Sequence, residues 1–453
     1  MALLIAGAPS GVAAQQVATG NGAGAEAAAP ADGLAFSGAM RLRYEAIDGQ
    51  ARAGFNSSDE LVNLRTNVLA EYRQGNLRAG VEIYDSRVWG GNPGSPVSSN
   101  EVNAFEPVQA YLAADLPGAL GRGTRLRLTA GRMMLNLGSR RLVASDDYRN
   151  TTNGYTGLRA DIAASQGWTA ELIYTLPQSR LPDDAAGVAQ ARVRLDRESW
   201  DLVLWGGRVS KGNAWGRASA ELTYFHLGER DGVGRPTRDR SLDTFGGRIL
   251  AEPLAGAWDY EIEALYQTGQ ISTSLAPGAA RQAVSAGFAH VDVGYSFAGG
   301  WSPRLAVEFD YASGDGPGGR FGRFDTLLGT RRVDLAPSGL YNAIARTNLM
   351  IAGLRLEAAP SARLDGFAGY RQMWLAARED AFSSTNVRDP SGQSGRFAGH
   401  QMEARVRYWV IPARLRFEFD AVLLAKGRFL RDAPNAPAGN WTRYVSFNLT
   451  AML

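Results

Sequence analysis

No cysteine occurs among the 453 residues, which excludes a disulfide framework, thiolate metal sites and a cysteine nucleophile. Lysine is almost missing as well. Lys211 and Lys426 are the two present, so nearly all of the 48 basic residues are arginine, a planar and permanently charged fork suited to carboxylates. Histidine is scarce, with His226, His290 and His400 only. No stretch approaches the roughly 18 consecutive apolar residues of a spanning helix, so helical membrane spans are excluded. The 48 basic and 45 acidic residues are interspersed, for a formal net charge of +3. Without a basic block, nucleic acid is set aside as a partner. No HExxH, GxSxG or P-loop motif is present, and no cofactor is expected.

The first fourteen residues, MALLIAGAPSGVAA, form a short apolar run with Val12 and Ala14 where a signal peptidase requires small residues. This resembles a signal peptide, without the basic region that normally precedes one, since Arg41 is the first basic residue. Residues 15–33 are an Ala/Gly-rich lead-in, expected to be disordered. Its GNGAGAE segment at 20–26 has no strand before it and is no phosphate cradle.

From residue 34 onward apolar residues recur with a period of two, the mark of strands with one oily and one wet face. In 441–453, Trp441, Val445, Phe447, Leu449 and Ala451 alternate with Thr442, Ser446, Asn448 and Thr450. The same rhythm runs through 258–267, 305–311, 402–408 and 415–420, with charges on the second face. Several of these strands reach ten residues. Soluble sandwich strands average about five or six, whereas a tilted membrane strand needs about 9 to 11. Tyr72, Trp89, Trp168, Tyr174, Trp205, Trp258, Tyr408, Trp409 and Trp441 stand near strand ends, as an aromatic girdle or as ordinary strand formers.

Connections alternate in length. Gln74-Gly75-Asn76 and Ala298-Gly299-Gly300 are short, whereas 90–103, 178–197, 229–241, 313–338 and 379–396 are long and polar. Short periplasmic turns and long external loops are the habit of outer-membrane barrels. The expected fold is therefore all-β, an antiparallel transmembrane barrel of about eighteen strands over 34–453, in a Gram-negative bacterial outer membrane with lipid as its surroundings. At sixteen or more strands the lumen is wide enough for water. Segments 178–197 and 313–338 are the plug or lid candidates.

Arg41, Arg43, Arg65, Arg73, Arg78, Arg125, Arg127, Arg355, Arg371, Arg405, Arg407 and Arg416 fall on the polar phase of their strands. Closure brings the first and last thirds together, which predicts a basic sector opposite an acidic wall of Asp259, Glu261, Glu263, Glu308 and Asp310. Charged rings and ladders of this kind set a pore's ion preference. Lumen charges that merely solvate the wall and pair with one another are the plainer alternative. For catalysis, His290 stands near Asp292 and Ser285, but His290 and Asp292 point inward together, as a hydrogen-bonded wall histidine would. SGDGPGG at 313–319 reads as turn chemistry in preference to calcium binding.

LTAGRMMLNLGSRRLV at 128–143, YASGDGPGGRFGRFDTLL at 311–328, FAGHQMEARVRYWV at 397–410 and LRFEFDAVLLAKGRFL at 415–430 resemble the alginate export porin family. The resemblance covers residue 36 to the end. It implies an eighteen-stranded barrel whose arginine-lined constriction passes an anionic uronate polymer, with periplasmic export components as possible partners. Arg65 in VNLRTNVLAEY and Arg132 in AGRMMLN correspond to family pore arginines. The sequence departs from the exporter proper at Glu418 and Asp420 and at the acidic stretch 259–263.

Three functions fit the sequence. The leading one is a passive, substrate-selective porin for an anionic saccharide, lined by Arg41, Arg43, Arg65, Arg127, Arg132, Arg355, Arg405 and Arg407. A general or small-solute uptake porin is the second, and a membrane-embedded hydrolase using one of the three histidines the third.

Overall fold

The computed structural model describes residues 32–453 apart from 233 and 331–333, so the signal-peptide-like run and most of the lead-in lie outside the described residues. The first half of the chain forms β1 (Gly33–Asp48), β2 (Ser58–Gln74), β3 (Leu77–Gly90), β4 (Asn103–Pro117), β5 (Arg125–Met133), β6 (Tyr155–Ala163), β7 (Trp168–Pro177), β8 (Leu202–Trp215) and β9 (Ala218–Glu229). The second half forms β10 (Ser241–Ala251), β11 (Ala257–Ser272), β12 (Arg281–Ser296), β13 (Arg304–Ala312), the two-residue β14 (Arg320–Phe321), β15 (Leu349–Ser361), β16 (Leu364–Trp374), β17 (Phe397–Ile411), β18 (Leu415–Lys426) and β19 (Trp441–Met452). All except β14 are wall strands, each antiparallel to its neighbours. β19 pairs with β1 from Met452 opposite Ala39 to Arg443 opposite Asp48, which closes an eighteen-stranded barrel. Closure leaves no unpaired backbone edge, the condition for a sheet to stand in lipid.

The alternation sorts the two faces as expected. In β13, Arg304, Ala306, Glu308, Asp310 and Ala312 are buried inside while Leu305, Val307, Phe309 and Tyr311 are exposed outside. Of the nine aromatics, eight lie exposed on the outer face near strand ends. Trp409 differs. It shares the phase of Arg405 and Arg407, points inward and lies beneath the Arg416 guanidinium, 5.6 Å away.

The lumen departs from the polar, water-filled tube that the sequence suggested. At the external ends of the strands the inward face turns apolar, with Leu61, Leu204, Phe225, Leu265, Phe288, Ile351, Met373 and Leu424 all buried. Long connections fold inward onto this ring. Leu135, Leu137 and Val143 from 134–154, Leu335, Tyr341 and Ile344 from 313–348, Phe382 from 375–396 and Phe429 from 427–440 share one core with it. Loops ordinarily cover a surface; here they fill the external half of the barrel. The described residues of segment 313–338 form an inserted loop as expected, and the insertion runs on to residue 348. The 134–154 insertion carries no loop signal of its own, because its first half belongs to a strand-like run.

Candidate pore constriction

The site is built from the β1–β2 ladder. Inward positions on these strands place Arg41 directly opposite Arg65, and on the other side Arg41 faces Thr450 of β19, itself opposite Arg416 of β18. Three guanidinium groups thus lie in one row across four strands. Like charges directly opposite destabilise a ladder unless something compensates them. Arg416 has Glu418 at 3.9 Å. Arg41 and Arg65 instead find neutral acceptors on the 134–154 loop.

That loop descends into the lumen and presents three successive carbonyl groups. Arg41 donates to the Asp147 carbonyl at 2.9 Å and the Arg149 carbonyl at 2.8 Å. Arg65 reaches the same two oxygens at 3.1 and 3.2 Å. Arg43 donates to the Tyr148 carbonyl between them at 2.6 Å, and is neutralised by Glu45 at 2.9 Å. The Tyr148 ring lies 3.9 Å from the Arg43 guanidinium, and its hydroxyl meets those of Tyr444 at 2.8 Å and Ser446 at 3.0 Å. Arg41 is only 7% exposed, whereas Arg65 is half-buried and keeps an edge toward the open lumen.

Elsewhere the wall is a ladder of alternating charge. Arg159 pairs with Glu171, which also takes Arg208; Arg208 reaches Glu221, which also takes Arg248; Arg248 reaches Glu261. Arg141 of the inserted loop ends the series on Glu261, Glu263 and, across the lumen, Asp334 of the 313–348 loop.

The acidic wall expected from the sequence is therefore present but not bare. Asp259 holds Arg304 at 2.9 Å, Glu308 holds Arg371 at 3.0 Å and Asp310 holds His290 at 2.8 Å. Of the compensating arginines, Arg141 comes from the inserted loop, while Arg248, Arg304, Arg355 and Arg371 stand on the wall strands β10, β13, β15 and β16. Several predicted pore arginines are also spent on carboxylates: Arg127 on Asp115 at 2.6 Å, Arg355 on Glu357 at 2.6 Å and Arg407 on Asp365 at 2.7 Å. Arg405 lies over Phe367, as does Arg355. Arg132 is enclosed by Glu106 at 2.5 Å and Glu198 at 2.9 Å. It stands on the opposite strand phase from Arg127, beside Gly131, whose φ of +121° lets it pass close to the Ala110 carbonyl, where a Cβ would meet the oxygen at 2.4 Å.

Above the constriction, Arg149 and Arg180 fork onto the same two amide oxygens, of Asn100 and Asn153, at 2.6 to 2.8 Å. Burial, and then the neighbouring Arg149, bring Arg180 down to about 9. Burial likewise pushes the Glu101 carboxyl on the adjoining loop up to about 7. Asp315 of the SGD segment accepts the Gly322 amide at 3.0 Å, a turn contact.

His290 takes Asp310 on the inner face, and Ser285 bonds Tyr266 on the outer face, so they share no site. His226 bonds Asp243 at 2.9 Å and His400 bonds Tyr370 at 2.7 Å, both outside.

A closed wall of eighteen tilted strands, oily outside and charged within, narrowed by inserted loops, defines an outer-membrane channel. The sequence model of the Alginate export family matches residues 32–442, nearly the whole chain, and the protein belongs to that family. No curated protein matches. Solved structures of similar shape include OpdQ of Pseudomonas aeruginosa, 12% identical, with 93% of this chain and 97% of that one covered at a TM-score of 0.58. OpdK of the same organism with vanillate is 11% identical, covers 92% and 98%, and gives a TM-score of 0.56. OccK2 (OpdF) of the same organism, in complex with glucuronate, is 12% identical, covers 92% and 98%, and gives 0.55. At such identities the likeness speaks for the fold alone.

Proposed function

We propose that this channel passes an anionic saccharide of the uronate class, and that it is not an enzyme. The observation that carries the reading is the Arg416–Arg41–Arg65 row, where Arg41 and Arg65 are met by carbonyl groups and not by carboxylates. A sugar carboxylate arriving at the exposed edge of Arg65 gains charge-assisted bonds that a neutral solute cannot make. Contacts of that kind must stay few and weak enough for the cargo to leave. Membership of the alginate export family supports the same cargo class. The loop-filled external half argues against an unselective wide pore, and the three histidines spend their bonds on Asp243, Asp310 and Tyr370 with no serine among the partners described. Reversal potentials in a planar bilayer, with alginate oligosaccharides as blockers, test the proposal. Anion preference with block is expected; cation preference without block overturns it. Substituting all three histidines should leave conduction intact.

A further inference from the structure

We propose that Arg41, Arg43 and Arg65 clamp the 134–154 loop across the lumen by its three successive carbonyls at 147–149, so that Arg41, besides its charge, sets the width of the passage. The inference rests on the reading that the barrel conducts. Arg41 is 7% exposed beneath the loop tip and is out of reach of a solute, while its two terminal nitrogens span the Asp147 and Arg149 carbonyls. Its Nε is buried with no hydrogen-bond partner among the described residues, so the two terminal nitrogens make its side-chain hydrogen bonds.

The rest of the tip is fastened to the same wall. Ser86 of β3 donates to the Asn150 carbonyl at 2.7 Å, and the Asn150 amide donates to the Arg87 and Glu101 carbonyls at 3.1 and 2.9 Å. At its other end the loop is held through Arg141 by Glu263 and Asp334. A chord fixed at both ends divides the lumen, and its position decides how much of the cross-section stays open. A guanidinium suits position 41 because its planar fork carries two nitrogens at a fixed spacing, one for each carbonyl, whereas the single nitrogen of a lysine must reach both oxygens from one point.

The test is R41K, which keeps the charge and loses the fork. Single-channel conductance in potassium chloride is expected to rise about twofold with added flicker, while ion preference stays as in the native channel. A disulfide built by S86C and N150C in the R41K background should return conductance to the native value when oxidised and release it when reduced. The chain has no cysteine of its own, so this bond is the one formed. Y148A, which alters the tip and leaves the wall untouched, must give the same rise if R41K fails to assemble. Native conductance in R41K or, failing that variant, in Y148A overturns the clamp, as does a raised conductance that the formed disulfide does not lower. These readings use potassium chloride alone: failure of uronates to block the native channel would remove the cargo proposal and leave the clamp standing, and a silent R41K the reverse.

Discussion

Arg41 and Arg65 face each other across the β1–β2 ladder, and their guanidinium groups converge on the same two carbonyl oxygens, those of Asp147 and Arg149. Two oxygens each shared by two arginines is the arrangement that one bridging carboxylate would adopt. The neutral acceptors leave the positive charge of the pair in place, and the difference in exposure divides the work. Arg65 is open to a solute; Arg41 is covered.

Reversing Arg65 therefore should change selectivity most. R65E is expected to lower the anion-to-cation permeability ratio by about tenfold and to abolish oligouronate block, measured by reversal potential in a salt gradient. Tenfold corresponds to about 1.4 kcal/mol, a modest demand on one charge at a constriction. An unchanged ratio would show that the charge acting on ions lies elsewhere.

Arg132 should behave differently although the family resemblance groups it with Arg65. Its charge is cancelled by Glu106, fully buried, and Glu198. R132Q strips a buried carboxylate of its partner, a loss on the order of 3 kcal/mol. Lower thermal stability in the heat-modifiability assay is expected, with little change of ion preference.

Glu101 gives the external loops a pH dependence. Its carboxyl is raised from the usual 4.5 to about 7, by burial first and with the Ser98 amide pulling the other way. The folded state thus holds the proton more tightly than the unfolded one, so stability is full below about pH 4.5, falls as pH rises through 7, and then levels off. Hydrogen exchange in residues 91–102, corrected for intrinsic rate, should be faster at pH 8 than at pH 5, and E101Q should flatten the difference. Equal protection at both values in the native protein would contradict this.

Phe382, fully buried among the inserted loops, tests whether they form a true core. F382A should cost about 3–5 kcal/mol, seen as earlier thermal unfolding, and should raise open-channel noise. A variant as stable and quiet as the native channel would mean the loops are packed loosely.

The wall was legible in the sequence because period two over ten-residue runs has few other solutions, and strands such as β13 and β19 lie where the alternation put them. The short turns and long loops also fell in place. Less legible was the filling of the lumen. Residues 134–143 look like a continued strand, yet they leave the wall after Met133, and the signal lay in the neighbours: Phe225, Leu227, Phe288 and Ile351 make the inner face apolar at one end of several strands, where water would otherwise stand. The acidic residues were found on the correct face. Mutual pairing of lumen charges was the plainer alternative, but the partners themselves were not legible, because Arg141, Arg248 and Arg304 pair across strands or from a loop, at separations that a period along one strand does not carry.

The loop tip also touches both sides of the junction at which the sheet meets itself. Arg41 and Arg43 belong to β1, whereas Tyr444 and Ser446, which hold Tyr148, belong to β19. Before the two edges join, these anchors stand on opposite margins of an open sheet, so the tip can seat only after they meet. Once seated it acts as an internal suture, and peeling β19 away from β1 requires tearing the hydroxyl bonds of Tyr148 along with the ladder. Resistance of the cylinder to unzipping is therefore tied to the same few residues that narrow its bore.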